Sequence, residues 1–419
     1  MKRIQFVVIS LACLLSGRLS AGESPGAFPV PPELKPNVQF WVDVFTKYTK
    51  DQAVIHDMDN PQRIYAVVDF ADFGPLSEKK KDQLVEDQRT GIIRILRKLG
   101  EKSRDASELS EGELNFSKLF GENPNLESFQ KAADRVRSQS GLRESFVEGL
   151  IRSGRYLGEI RRIFSARGLP EELVYLPHVE SSYNWRALSR AGAVGVWQFT
   201  QSTGKLFLAV NDAIDERRDP ILSAVAAARL LKHNFEATGN WPLAVTAYNH
   251  GLLSIRRAME KLNTDDLMHI IRFYEHKPFG FASKNFYAEF LAAVQVARNP
   301  SQYFGDLVSD PPFASHGEEL PVPLTIEAVQ RAFRCGRDTL TALNPAFLPP
   351  LFKGGKAIPR GYVLRLPSDA DIASAYETLT SDGYLPRGAC RAWCKGSEKV
   401  LFHLIESPER GRNAFGPRT

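Results

Sequence analysis

Cysteine is scarce in this chain, with four in 419 residues. That excludes a small scaffold held together by a dense disulfide framework. Cys13 lies in an apolar N-terminal run, which leaves Cys335, Cys390 and Cys394 beyond it. The Cys390-Arg391-Ala392-Trp393-Cys394 spacing is able to close a small loop, pairing of Cys335 with either tail cysteine is equally open, and one thiol is left over. No further ligands stand near enough to make these a zinc site. A long hydrophobic run is also missing. The longest, Ile4 to Leu15, is short for a membrane span.

That run instead reads as an export signal over residues 1–22. Lys2 and Arg3 precede it, and Ser20-Ala21-Gly22 offers small residues for cleavage. Ser10 stands three residues before Cys13, where a lipoprotein site wants leucine, which argues against lipid attachment there. Attachment to the outer membrane or wall stays open. The expected compartment is the periplasm or cell envelope. Charge of one sign is lacking too. Loss of residues 1–21 removes Lys2, Arg3 and Arg18 and no acid, taking the formal charge from +5 to +2. No electrostatic case for nucleic-acid binding remains.

What the chain does have is organisation. Hydrophobic residues make up 43% and charged residues 25%, enough apolar content for ordinary globular domains. Residues 23–145 read as a mostly helical extension, with a strand predicted at Arg63–Phe70. Residues 146–300 carry helical periodicity throughout. Pro170 fits a helix start and Pro177 should kink that helix near its end. Asp219-Pro220 and Trp241-Pro242 open two more helices. A linker spans 301–319, a β-α-α-β unit is predicted over 320–368, and a tail follows at 369–419.

Chemistry concentrates in the helical segment. Glu180 ends an apolar stretch and is the candidate general acid, because apolar surroundings raise a carboxyl pKa. Tyr183, Trp185 and Trp197 are candidates for the pocket wall. Ser181 is placed to hold backbone or a sugar hydroxyl, Gln198 to bind sugar through its amide, and Asn249 to bind an N-acetyl group. Tyr248 is expected to hydrogen-bond Glu180. Gly192 and Gly195 suggest close backbone approach to a ligand. His178-Val179-Glu180 has a spacing seen in metal sites, but residues two apart do not share a helix face. His178 and His250 are therefore read as pocket wall or packing. Asp212, Asp215 and Glu216 are the nearest second carboxylates, and capping and ion pairing beside Arg217 and Arg218 account for them better.

Taken together, several motifs resemble the soluble lytic transglycosylases, lysozyme-like enzymes that cut peptidoglycan. They are Gly168-Leu-Pro, Glu180-Ser-Ser-Tyr-Asn, Ala191-Gly-Ala-Val-Gly-Val-Trp-Gln-Phe, Asp215-Glu-Arg-Arg-Asp-Pro and Ala247-Tyr-Asn-x-Gly. The resemblance covers roughly residues 148–298. It implies a mainly α, goose-type-lysozyme-like domain with Glu180 as sole acid and base, peptidoglycan strands as substrate and no cofactor. Cleavage between N-acetylmuramic acid and N-acetylglucosamine would give a 1,6-anhydro product. Residues 320–368 resemble a diverged LysM glycan-binding module. Two departures stand out: Gln201 and Trp185 occupy positions where proline is frequent in the family. A late family tyrosine falls on Phe286 or on its neighbour Tyr287, taken here as the candidate. A hydrolase on the same scaffold and a non-catalytic wall-binding protein are the alternatives.

Overall fold

The computed structural model describes residues 26–101, 109–121, 124–312 and 315–386. The export signal with Cys13, and the tail with Cys390 and Cys394, lie outside the described residues, so no disulfide pairing is defined there. Cys335 is buried.

Three apolar clusters organise the chain. The largest is built on the helices Pro220–Thr238 and Phe281–Arg298. Asp219 starts the first of these. Its carboxylate accepts from the backbone N–H groups of Ile221 and Leu222, both at 2.9 Å, with Pro220 in the first turn. Gly239 ends it in the left-handed conformation. Ala226, Ala227 and Ala228 are buried, and their small side chains allow neighbouring helices to approach closely. Trp241–His250 follows, capped by Asn240, and packs against both long helices. Phe281–Arg298 also contacts Lys35–Thr46 and the short helix Leu176–Glu180.

Helix Lys35–Thr46 departs from the expectation of an N-terminal extension. Phe40, Trp41, Val44 and Phe45 are buried in the main core. The rest of the extension is mainly helical, through Glu78–Glu101, Glu111–Lys118 and Leu126–Ala133, but it also holds a sheet. Strands Gln52–Asp57, Ile64–Asp69 and Val136–Ser140 form an antiparallel sheet with Gln52–Asp57 central. The long helix Glu78–Glu101 covers it, burying Leu96 against Ile55 and its neighbours. Val136–Ser140 is mostly polar and only Val136 is buried, so the sequence offers no alternation by which to recognise it.

The C-terminal unit follows the predicted β-α-α-β order with wider limits. Strand His316–Glu319 pairs antiparallel with Val363–Leu366, and Leu324–Thr325 with Ala357–Ile358. Helices Ile326–Phe333 and Arg337–Leu343 lie between them, and Ile372–Ser381 closes the core with Ala375, Tyr376 and Leu379. The first strand falls in the expected linker and the last helix in the expected tail.

This unit is joined to the main core by a buried ion pair. Arg365 donates through both terminal nitrogens to Asp219, one of them at 2.9 Å from Oδ1. Asp219 is wholly buried and Arg365 nearly so. Backbone bonds flank the pair, from Asp215 N to Ala346 O at 2.8 Å and from Leu348 N to Ala213 O at 2.9 Å. The carboxylate that caps the Pro220–Thr238 helix therefore also seats the C-terminal unit. Arg365→Ala would leave that carboxylate buried without its counter-charge. We expect a loss of about 3–5 kcal/mol in urea unfolding, and a loss under about 1 kcal/mol would show that the pair is not coupled to folding.

Candidate active site

Glu180 is the last residue of the Leu176–Glu180 helix. Pro177 does not kink one long helix as expected. The segment divides into a tight 3-10 turn, Glu171–Tyr175, and a short α-helix in whose first turn Pro177 sits. Beyond Glu180 the chain reverses sharply, and Ser182 and Tyr183 both adopt positive φ. Arg152 holds this reversal, donating through Nε and Nη2 to the Ser182 carbonyl at 3.0 and 2.9 Å.

A second turn, residues 191–199, faces it. Its anchor is Arg217, which is buried and bonded through Nε and Nη2 to both carboxylate oxygens of Asp215, each at 2.8 Å. The remaining nitrogen, Nη1, donates to the carbonyls of Gly192 and Phe199 at 3.2 Å. Gly195 has φ +81°, and a Cβ there would lie 2.1 Å from the Arg217 carbonyl oxygen. Gly195 thus serves a close approach to Arg217 rather than to a ligand. Asp215 is absorbed in this pairing, Glu216 accepts from Ala209 N at 2.8 Å, and Asp212 pairs with Lys356.

The turn supplies acceptors to the catalytic candidates. Ser181 Oγ donates to Val196 O at 2.8 Å. Tyr248 OH donates to Trp197 O at 2.7 Å. Its single proton is thereby committed, so the bond expected from Tyr248 to Glu180 is made to Trp197 instead. Tyr248 does lie near enough to Glu180 for that carboxylate's charge, after burial, to raise the phenol pKa. Gln198 Nε2 donates to Gly195 O at 2.8 Å, which fixes its amide beside the turn. Asn249 is exposed, and its Oδ1 accepts from Ser283 Oγ at 3.2 Å. His250 joins the same polar chain, between Ser283 at 3.0 Å and Ser254 at 2.8 Å.

Three of the expected contact residues are core instead. Tyr183 is fully buried and its hydroxyl donates to Val174 O. Trp197 is fully buried and stacks on Phe164 with ring centroids 5.4 Å apart. Tyr287 is buried and donates to Pro29 O at 2.8 Å, on the far side of its helix from the site. Phe286 is buried as well. Tyr183 and Trp197 are large side chains within the motifs and Tyr287 is the tyrosine that the family resemblance implies, which is why the sequence assigns them to the pocket. His178 is also core. It stacks on Phe146 at 4.9 Å, and burial pushes its pKa down to about 3.

The residue that sequence reading missed is Glu289. It lies on the Phe281–Arg298 helix, which packs against Leu176–Glu180. Residues 287 and 289 are two apart and point to opposite sides, so Glu289 faces the site as Tyr287 faces away. A signal was present, a single acid between the buried Ala288 and Phe290 in an apolar helix. Burial pushes the Glu289 carboxyl up to about 8, and the charge of Glu180 adds to the effect. Glu180 itself is pushed up to about 8 by burial alone. Among the described residues no cation or hydrogen-bond donor offsets that burial. The arrangement is a carboxyl that keeps its proton at neutral pH, beside a second that does the same.

With that geometry in place, the class of domain is defined. Residues 164–270, which carry Glu180 and the turn that faces it, match the family model described as the transglycosylase SLT domain. The chain is also 32% identical over 176 residues to membrane-bound lytic murein transglycosylase D of Escherichia coli strain K12, an alignment covering 41% of this chain and 38% of that one. The same identity and coverage hold for the protein of that name in Escherichia coli O6:H1. This chain thus spans about two fifths of the length of these relatives.

Burial of Glu180 has a stability cost with a definite sign. In the unfolded chain the carboxyl ionises near its ordinary value of 4.5, and in the fold near 8. The native state therefore holds more protons between these values, and stability falls as pH rises across that window and levels above it. Glu180→Gln removes this fall. We expect the variant to be more stable than the parent by about 4 kcal/mol near pH 8, with the gain vanishing below about pH 4.5. Urea unfolding of both proteins across that range checks it; a gain independent of pH would contradict the burial argument.

Proposed function

We propose that this protein is an exported peptidoglycan lytic transglycosylase of the cell envelope, with Glu180 as its only acid and base. The observation that carries this reading is the setting of Glu180 at the end of its short helix, where burial raises its carboxyl pKa to about 8 and no cation or donor among the described residues offsets it. Glu180 gives its proton to the glycosidic oxygen between N-acetylmuramic acid and N-acetylglucosamine, and the C1–O bond breaks. The acetamido oxygen of the muramyl residue stabilises the positive charge left at C1. The Glu180 carboxylate then takes the proton from the C6 hydroxyl as O6 bonds to C1. The 1,6-anhydro ring closes, Glu180 is protonated again, and no water is consumed. Ser181, Gln198, Tyr248 and Asn249 are proposed to position the strand, and the 320–368 segment to act as a LysM-like glycan-binding module.

Glu289 bears on the hydrolytic alternative. An inverting hydrolase needs an ionised carboxylate to activate water. Held protonated to about pH 8, Glu289 is a poor base for that step under neutral conditions. A protonated Glu289 is thus consistent with internal attack by the C6 hydroxyl and does not supply the base that attack by water needs.

Mass spectrometry of muropeptides released from purified peptidoglycan tests the proposal. Products lighter by one water than reducing-end muropeptides are expected. Glu180→Gln should lower their release by about 10²–10⁴-fold, and Glu289→Gln should leave the anhydro end unchanged. Reducing-end products from the parent protein would move the assignment to a hydrolase. Unaltered release by Glu180→Gln would remove Glu180 from the mechanism, and wall binding without any release would favour a non-catalytic scaffold.

A further inference from the structure

Between the main core and the C-terminal unit lies a cleft of about 590 Å³ that the chemistry above does not use. Arg155, Trp185 and Arg186 line it from one side, and Arg337, Asp338 and Phe352 from the other. Three arginines face one aspartate. Arg155 is paired with Asp310 at 3.1 Å. Arg186 and Arg337 have a different environment, because each guanidinium lies over an aromatic ring at 4.6 Å from its centroid, Trp185 for the first and Phe352 for the second. Stacking occupies the face of a guanidinium and leaves its edge N–H groups directed outward in a fixed plane, which is the geometry that receives a carboxylate with two parallel bonds. The two stacked pairs come from different units of the fold, so the cleft depends on the Asp219–Arg365 seat that joins them.

The cleft is also close to Glu180. Trp185 follows it by five residues, a separation of at most about 18 Å if extended. The reversal at Ser182 and Tyr183, and the turn bond from Asn184 N to Ser181 O at 3.0 Å, make the true separation shorter. A peptide of about five residues hanging from a sugar beside Glu180 spans a similar length. Trp185 is the residue that stands where proline is frequent in the resembled family, and here it is the platform for Arg186.

We propose that this cleft binds the carboxylates of the peptide attached to the muramyl residue, with Arg186 and Arg337 as the two receiving groups. The proposal rests on peptidoglycan being the substrate. It makes the protein selective for strands that carry peptides, through contacts remote from the bond that breaks.

The test compares two substrates, intact peptidoglycan strands and strands stripped of their peptides, for the parent protein and the Arg186→Ala/Arg337→Ala variant. We expect KM for intact strands to rise on the order of tenfold in the variant, with kcat little changed, as for the loss of uniform binding. On stripped strands the two proteins should agree within about twofold. Arg186→Lys/Arg337→Lys should recover only part of the loss, since lysine keeps the charge but not the planar fork. Equal loss on both substrates would make these arginines part of the glycan path or the fold, and no loss on either would leave the cleft without this role; both overturn the proposal. Failure of the parent protein to cut either substrate would instead overturn the functional reading on which it rests.

Discussion

The site depends on one buried side chain that takes no part in chemistry. Arg217 spends two nitrogens on Asp215 and its third on the carbonyls of Gly192 and Phe199. That fixes both ends of a turn whose middle carbonyls, Val196 and Trp197, receive Ser181 and Tyr248. The position of Glu180, which adjoins Ser181, follows. A buried ion pair of this kind adds little net stability, since desolvation offsets most of the attraction. What it provides is geometry. An apolar replacement of equal volume would fill the space but leave the Gly192 carbonyl without its donor and cut the tie from Arg217 to Phe199. The glycines at 192 and 195 are required by the same clamp, one for its carbonyl and positive φ, the other because only hydrogen fits against the Arg217 backbone.

Around this frame the protein places two carboxyls where neither is stabilised as an anion. That is a local conflict between folding and function, of the sort expected at a working site. A cation beside Glu180 would relieve the cost and lower the pKa, and so remove the proton on which acid catalysis relies. The main core carries the cost through its long helices, and Phe281–Arg298 in particular serves as both core element and carrier of Glu289. The C-terminal unit is bound to the same frame through Asp219, so helix capping, module seating and the geometry of the stacked-arginine cleft converge on one carboxylate.

Much of this was legible from residue types and spacing. The helix starts at Asp219-Pro220 and Trp241-Pro242, the apolar setting of Glu180 and the structural role of Asp215 all follow from capping chemistry and pattern. Other parts were not. Tyr183 and Trp197 look like pocket residues because they stand in the motifs, and Tyr287 because of the family resemblance, but side chains of that size are also what a core is made from, and sequence does not show which way they point. Strand Val136–Ser140 had no apolar alternation to reveal it. Glu289 is the instructive omission. It lies outside every motif, and its meaning comes only from a helix contact more than 100 residues away in sequence from Glu180.

The proposed chemistry requires that one carboxyl hold its proton at neutral pH. Its most direct test is a titration of the Glu180 carboxyl carbon by NMR in protein labelled with ¹³C-glutamate, assigned by the signal lost in Glu180→Gln. A midpoint near 8 is predicted. A midpoint near the ordinary 4.5 would mean that Glu180 is an anion at neutral pH, and would contradict its role as the acid.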